Sequence, residues 1–303
     1  MVPTLPENMQ QALLQQYGPE MTQEIVAGFA RRRPVTLRVN TLRTTREAVE
    51  RSLLDAGIAS ERVSWYADAL VLPGVREEDV QALPLYERGE IYLQSLSAMV
   101  PALMLAPRAG ETVLDMAAAP GGKTTQMAAL SGGRAQITAC EKNKIRAERL
   151  QFNLDRQGAG RVVVMQQDAR QLNDLFTFDR VLLDAPCTGS GTLLLAEGEP
   201  QRRMEEGWIK KTVATQTALL SKALRLLRAG QEMVYSTCSI LEQENEGVLR
   251  AVLPRFQAEI VPVDAALMDA LPTLPVTLPG TLCIRPTERY EGFFAAKIRK
   301  RRA

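Results

Sequence analysis

Histidine is absent from this 303-residue chain, and cysteine occurs only four times. Without imidazole, acid–base chemistry near neutral pH must come from Asp, Glu, Lys, Tyr or Cys. Cys140, Cys187, Cys238 and Cys283 lie more than forty residues apart, with no Cys-x-x-Cys pair. That spacing argues against a zinc site and against a small disulfide scaffold, so no metal is expected. The opening "MVPTLPENMQQALLQQYG" lacks the basic start and apolar core of a signal peptide, and no apolar run is long enough to span a bilayer. Reduced thiols, a cytoplasmic location and no membrane partner are the expectation.

A strong charge of one sign is missing too: the net charge is +2. The distribution is less even than the total. Between residues 31 and 51 there are seven arginines against two glutamates, and the closing "KIRKRRA" is basic. A cluster of this kind can neutralise phosphates or form an ordinary solvated face. Trp65 and Trp208 are expected to be core or loop anchors rather than stacking platforms for bases.

Two textures divide the chain. Residues 8–30 read as helices with an apolar face, "PVTLRVNTL" alternates like a strand, and "TTREAVERSLLDAG" reads as a helix with a threonine cap and a terminal glycine. "VSWYADALVLPG" and "LPLYERGEIYLQ" suggest further short strands or hairpins. Residues 1–95 are expected to form a small N-terminal α+β domain. From residue 96 to 303 strands alternate with helices. The runs "ETVLDMA", "AQITACE", "RVVVMQQD", "FDRVLLDAP" and "QEMVYSTC" are nearly continuous apolar segments that end on polar residues. That pattern predicts an α/β fold, a doubly wound and mostly parallel sheet, which binds ligands beyond the carboxyl ends of its strands.

The loop "LDMAAAPGGKTTQ" follows the first of these strands. It falls one glycine short of a triphosphate-binding loop: Ala117 stands where the backbone nest around a phosphate needs glycine. The alternative is a loop for S-adenosylmethionine. Its small residues let the cofactor approach the backbone, and a helix beginning near Lys123 offers free N–H groups to the cofactor carboxylate. Glu141, nineteen residues beyond Gly122, ends the second strand at the separation where an acid binds ribose hydroxyls. Asp168 ends the third strand and is suited to the adenine amino group.

Two cysteines follow strand ends. "VLLDAPCTGSGT" places Cys187 after Asp184, and "MVYSTCSI" places Cys238 at the end of the next strand in sequence. If the strands are neighbours, both thiols open into one crevice. A methyl donor and a thiol together suggest one reaction. Carbon 5 of a pyrimidine is a poor nucleophile, but a thiolate added at carbon 6 turns the ring into an enamine that can take up a methyl group. An acid such as Asp184 would steady the charge that develops. Which thiol attacks is left open by the residues alone. Cys140 and Cys283 are expected to be core filling.

Over nearly its whole length the chain resembles the Sun family of RNA cytosine-5 methyltransferases. The likeness is carried by "RVNTL", "YLQSLSAMVPA", "VLDMAAAPGGKT", "VLLDAPCTGSGT", "VYSTCSI" with "ENE" after it, and "RYEGFFAAKI". It implies a Rossmann-like class I methyltransferase domain acting on RNA, with Cys238 as the nucleophile and Cys187 assisting product release. It implies that Ala117, Ala118, Ala119, Pro120, Gly121, Gly122 and Lys123, with Glu141, Asp168 and Asp184, hold S-adenosylmethionine, and that Lys123 also faces the base or the cofactor carboxylate. Arg31, Arg32, Arg33 and Arg38 are expected to contact RNA. The implied substrate is small-subunit ribosomal RNA, with transfer RNA second. The chain is expected to act as a monomer and to have no room for an extra N-terminal RNA-binding domain. A second class of function, a non-catalytic cofactor-binding RNA assembly factor, would bind RNA independently of Cys238. The stretch "GTLLLAEGEPQRRMEEGW" departs from the family pattern, which often carries a basic residue and a proline soon after Gly-Thr.

Overall fold

The computed structural model describes residues 5–195 and 205–302. Two compact units emerge. One comprises Pro34–Leu182 with Leu226–Arg228, and the other comprises Met1–Arg33, Leu183–Arg225 and Ala229–Ala303. The expected boundary at residue 95 falls inside the first of them.

The first unit begins with an antiparallel sheet of β1 (Val35–Val39), β2 (Glu61–Val63), β3 (Tyr66–Leu72) and β4 (Ile91–Leu93), in the order β2-β3-β1-β4. Val35, Leu37 and Val39 of β1 face a core shared with Val49 and Leu53 of helix Arg46–Asp55. That helix starts and stops where its sequence says it should. Thr45 Oγ1 accepts from the Ala48 N–H. Past its end, Gly57 N–H donates to Leu54 O and Ile58 N–H to Leu53 O, with Gly57 at φ 73°. This is the two-bond helix ending that favours glycine.

The other face of β1 is buried as well. Thr36 Oγ1 donates to Gln94 O, Arg38 reaches Thr125, and Asn40 Nδ2 donates to both Gly89 O and Gln157 O at 2.8 Å. The small sheet is thereby fastened to helices Gly122–Leu130 and Lys144–Gln157. Gly89 is required there: a Cβ would lie 2.0 Å from the Arg156 carbonyl oxygen.

The remainder of this unit is a parallel layer, β5 (Thr112–Asp115), β6 (Gln136–Cys140), β7 (Val162–Met165) and β8 (Phe178–Asp184). β5 pairs with β6 and with β8, and β6 pairs with β7. Helix Lys144–Gln157, capped by Asn143 and closed at Gly158 with φ 71°, connects β6 to β7. Four of the five strands read from the sequence therefore run in parallel, as their near-continuous apolar character predicts.

The second unit carries β9 (Leu227–Thr237), β10 (Ala258–Val261), β11 (Leu282–Ile284) and β12 (Phe293–Lys300). β12 is antiparallel to β9, β10 and β11. Helix Glu7–Phe29 belongs to this unit and is broken at Gly18, φ 76°, just before Pro19. Gly28 sits so close to the Pro286 carbonyl oxygen that a Cβ would come within 2.1 Å of it. Among the described residues no helix is long and apolar enough to cross a membrane.

Candidate active site

In the first unit, Asp115 ends β5 and accepts a 2.7 Å hydrogen bond from Thr124 Oγ1. The loop then turns through residues 116–121. Met116 N–H donates to Leu182 O and Ala118 N–H to Cys140 O, so the loop is held across the strand ends. Ala118 and Ala119 are buried, Ala117 is half-buried and Pro120 is exposed. Gly121, at φ 110°, adopts a left-handed turn that an L side chain resists, and helix Gly122–Leu130 follows with Lys123 in its first turn. Glu141, buried at the end of β6, accepts from the Asn143 N–H at 2.8 Å. Arg146 lies 3.5 Å from the other Glu141 oxygen and donates to the Ala119 carbonyl at 2.8 Å, tying acid and loop together. Asp168 follows β7 and pairs with Arg170 at 2.6 Å; that hydrogen bond holds its carboxyl below the usual carboxylate range. It still offers lone pairs to a further donor.

The second unit holds the thiols. Asp184 is the last residue of β8, and its Oδ1 accepts from Ser236 Oγ at 2.7 Å. Ala185 N–H donates to the Ser236 carbonyl. This backbone pairing brings Cys187 beside Cys238: their sulfurs lie 3.1 Å apart, both half-buried, and all four cysteines are free thiols. Cys187 holds its proton strongly. The hydrogen bond with Cys238 contributes most, followed by burial and the charges of Cys238 and Glu244. The two sulfurs share one hydrogen bond, in which either thiol can be the donor.

The loop after Cys187 is built from small residues for a geometric reason. Gly191 N–H donates to the Cys238 carbonyl, and Gly292 N–H donates to the Gly191 carbonyl at 2.8 Å. A Cβ on Gly191 would lie 2.0 Å from the Gly292 carbonyl oxygen. Ser190 Oγ and Ser239 Oγ are 2.8 Å apart, joining the two cysteine loops again. Three separate sequence motifs, "CTGSGT", "STCSI" and "YEGFF", therefore meet in one place.

Sequence reasoning passed over Glu244 and Gln216. Glu244 is fully buried, and its carboxylate accepts from Thr188 N–H at 2.9 Å, Thr188 Oγ1 at 2.6 Å and Gln216 Nε2 at 3.3 Å. An acid in a polar run after a strand reads as surface, and only the motif "ENE" hinted otherwise. Asn245 is buried too, accepting from Thr237 Oγ1 and donating to Ser239 O.

One expectation is corrected. Arg38 is fully buried and cannot meet RNA. Its Nη2 donates to Thr125 Oγ1 at 2.9 Å and Gly122 O at 3.4 Å, its Nε to Gln94 Oε1 at 3.3 Å, and its guanidinium lies 5.8 Å from the Tyr92 ring centre. Arg31 and Arg32 are exposed, whereas Arg33 is half-buried and donates to the Tyr290 carbonyl. Trp208 stands exposed rather than serving as a core anchor, while Trp65 is half-buried beside Tyr66. Cys140 and Cys283 are buried core residues, as expected; burial pushes the Cys140 thiol up to about 12, and Cys283 is raised further by burial. Part of the divergent stretch, residues 196–204, lies outside the described residues.

Because attack on an alkylating reagent needs a thiolate, iodoacetamide at pH 8 is expected to label Cys238 first. Cys187 should follow slowly, and Cys140 and Cys283 should stay unmodified. Peptide mass mapping over a time course checks this; earlier labelling of Cys187 would overturn it.

A glycine loop after β5 and acids after β6 and β7 of a parallel layer define a Rossmann-like methyltransferase fold. The comparisons narrow this class. Residues 102–299 match the 16S rRNA methyltransferase RsmB/F family, and residues 5–77 match its RsmF/B-like ferredoxin-like domain. The chain belongs to the RsmB/F methyltransferase family. It is 35% identical to the ribosomal RNA small subunit methyltransferase B of Sodalis glossinidius, over 93% of this chain and 63% of that protein. It is 37% identical to a tRNA (cytosine(72)-C(5))-methyltransferase of Pyrococcus horikoshii, over 64% of this chain and 49% of that protein. A crystal structure of a methyltransferase homologue from Pyrococcus horikoshii superposes with a TM-score of 0.82 at 30% identity, covering 98% of this chain and all of that one. The chain spans 34% to 63% of the length of the curated relatives it matches.

Proposed function

We propose that this chain transfers a methyl group from S-adenosylmethionine to carbon 5 of a cytosine in RNA, with small-subunit ribosomal RNA as substrate. The observation that carries this reading is the pair of free thiols 3.1 Å apart, beside a strand-end carboxylate. Amine methylation needs no thiol; carbon-5 methylation needs one thiol to activate the ring and a further group to complete elimination. The Cys238 sulfur adds to carbon 6, and the electron pair of the broken 5,6 double bond moves towards carbon 5 and the ring nitrogen. Asp184, oriented by Ser236, is the acid that protonates the ring nitrogen as negative charge develops there. After carbon 5 has taken up the methyl group, its proton passes to water, the C–H electron pair restores the 5,6 double bond, and the sulfur–carbon pair returns to the Cys238 sulfur, which Cys187 beside it protonates.

The residues of the first unit fit the cofactor's chemistry. The N–H groups at the start of helix Gly122–Leu130 suit a carboxylate, Glu141 suits ribose hydroxyls, and Asp168 suits an adenine amino group. Residues 117–123, Lys123 among them, would hold the cofactor through their backbone. When bound, S-adenosylmethionine supplies the electrophilic methyl group. The target base must be single-stranded or flipped out, since a thiol cannot approach the ring face within a stack. Arg31 and Arg32 supply charge for the phosphates.

The family description and the Sodalis relative's name support ribosomal RNA; the Pyrococcus relative's name supports transfer RNA as the competing substrate. The test is incubation with labelled methyl donor and either naked small-subunit rRNA or tRNA, followed by nucleoside analysis. The expected product is 5-methylcytidine in rRNA. Labelling of tRNA alone would move the substrate, and no product in either RNA despite cofactor binding would favour the assembly-factor reading.

A further inference from the structure

We propose that Glu244 is a positioning residue for the thiol pair: it anchors the loop that carries Cys187 and places beside it a carboxylate whose charge opposes a Cys187 thiolate. The proposal rests on the reading of the two thiols given above and adds a residue that does not touch the substrate.

Geometry carries it. Glu244 accepts both the backbone N–H and the hydroxyl of Thr188, the residue next to Cys187. Gln216 Nε2 bridges the Pro186 carbonyl at 3.0 Å and Glu244 Oε1 at 3.3 Å, so the residues on both sides of Cys187 are tied to one carboxylate. The Tyr235 hydroxyl, buried within β9, donates to the Glu244 backbone carbonyl at 2.6 Å and fixes the segment that carries the acid. These donors are neutral groups, so they orient the carboxylate without cancelling its charge. The titratable groups acting on Cys187 are Cys238 and Glu244, and the Tyr235 hydroxyl feels Cys187, Glu244 and Asp184 in turn. A second negative charge on Cys187, beside a buried carboxylate, is disfavoured by like-charge repulsion at low dielectric. A Cys187 thiolate is therefore opposed by the carboxylate that holds its loop.

A sequence-based view would not separate this role from simple packing, but a charge-selective experiment does. In the Cys238→Ala protein, Cys187 becomes the only half-exposed thiol of the pair, and its alkylation by iodoacetamide at pH 9 reports its thiolate fraction without RNA or cofactor. Adding Glu244→Gln removes the charge while keeping an oxygen for the Thr188 N–H. We expect Cys187 alkylation to accelerate about tenfold, the effect of roughly one pH unit from one nearby charge, with a slope against pH displaced to the acid side. Glu244→Asp, which keeps the charge, should restore the slow rate. Thr188→Val, which loses only the hydroxyl contact, should leave the pH displacement absent, and it keeps the test open if Glu244→Gln does not fold. An unchanged alkylation profile in Glu244→Gln, or the same acceleration in Thr188→Val as in Glu244→Gln, would overturn the proposal. Because the readout needs no substrate, a displaced profile in a protein that methylates no RNA would refute the proposed function and leave this inference standing.

Discussion

Replacing Cys238 with alanine is expected to abolish methyl transfer, lowering turnover by about four orders of magnitude or more, as removal of a covalent nucleophile does. Replacing Cys187 with alanine should have a different consequence: the Cys238–cytosine bond still forms, but its release stalls. Incubating the Cys187→Ala protein with RNA and S-adenosylmethionine should give a protein–RNA adduct that survives a denaturing gel. The adduct should vanish in the Cys187→Ala/Cys238→Ala protein, and sequencing the captured RNA identifies the modified cytosine. The physical basis is the 3.1 Å sulfur–sulfur approach combined with a proton held on Cys187. An adduct that persists without Cys238 but requires Cys187 would exchange the two roles.

The second large effect concerns stability rather than chemistry. Arg38→Ala should lower the unfolding free energy by about 3–5 kcal/mol, because it opens a cavity and strips buried acceptors of their donor. Thr125 Oγ1, Gly122 O and Gln94 Oε1 would each lose the guanidinium. A drop of roughly 10 °C in Tm by differential scanning fluorimetry is expected. The double variant Arg31→Gln/Arg32→Gln, at exposed positions, should leave Tm unchanged and reduce the salt dependence of RNA binding by a slope of roughly one per arginine. A salt slope altered by Arg38→Ala with Tm intact would return Arg38 to the RNA-contacting set.

The burial of Arg38 shows where a strand pattern misleads. "VTLRVN" alternates apolar and polar residues, and alternation ordinarily places the polar set in water. Here β1 lies between two packed layers. Val35, Leu37 and Val39 face one, while Thr36, Arg38 and Asn40 hydrogen-bond into the other. Nothing in the local pattern distinguishes solvent from a neighbouring layer of acceptors, since both satisfy polar groups. Helix boundaries were more legible because their causes are local. Thr45 with Gly57, and Asn143 with Gly158, act within a few residues of the helix they bound.

For the candidate site, the residue types and strand-end positions of Cys187, Cys238, Asp184, Glu141 and Asp168 were readable because strands, loops and acids recur at fixed separations along the chain. The parallel layer followed for the same reason. What tertiary structure decided was proximity. The separation of 51 positions between Cys187 and Cys238 carries no signal that their sulfurs approach to 3.1 Å, because that distance depends on backbone pairing at Ala185–Ser236 and on two closely apposed glycines, Gly191 and Gly292. Glu244 became part of the site by the same route. Its burial against Thr188 and Gln216 arises from long-range packing, and only that packing places an ordinary surface-type acid against the Cys187 loop.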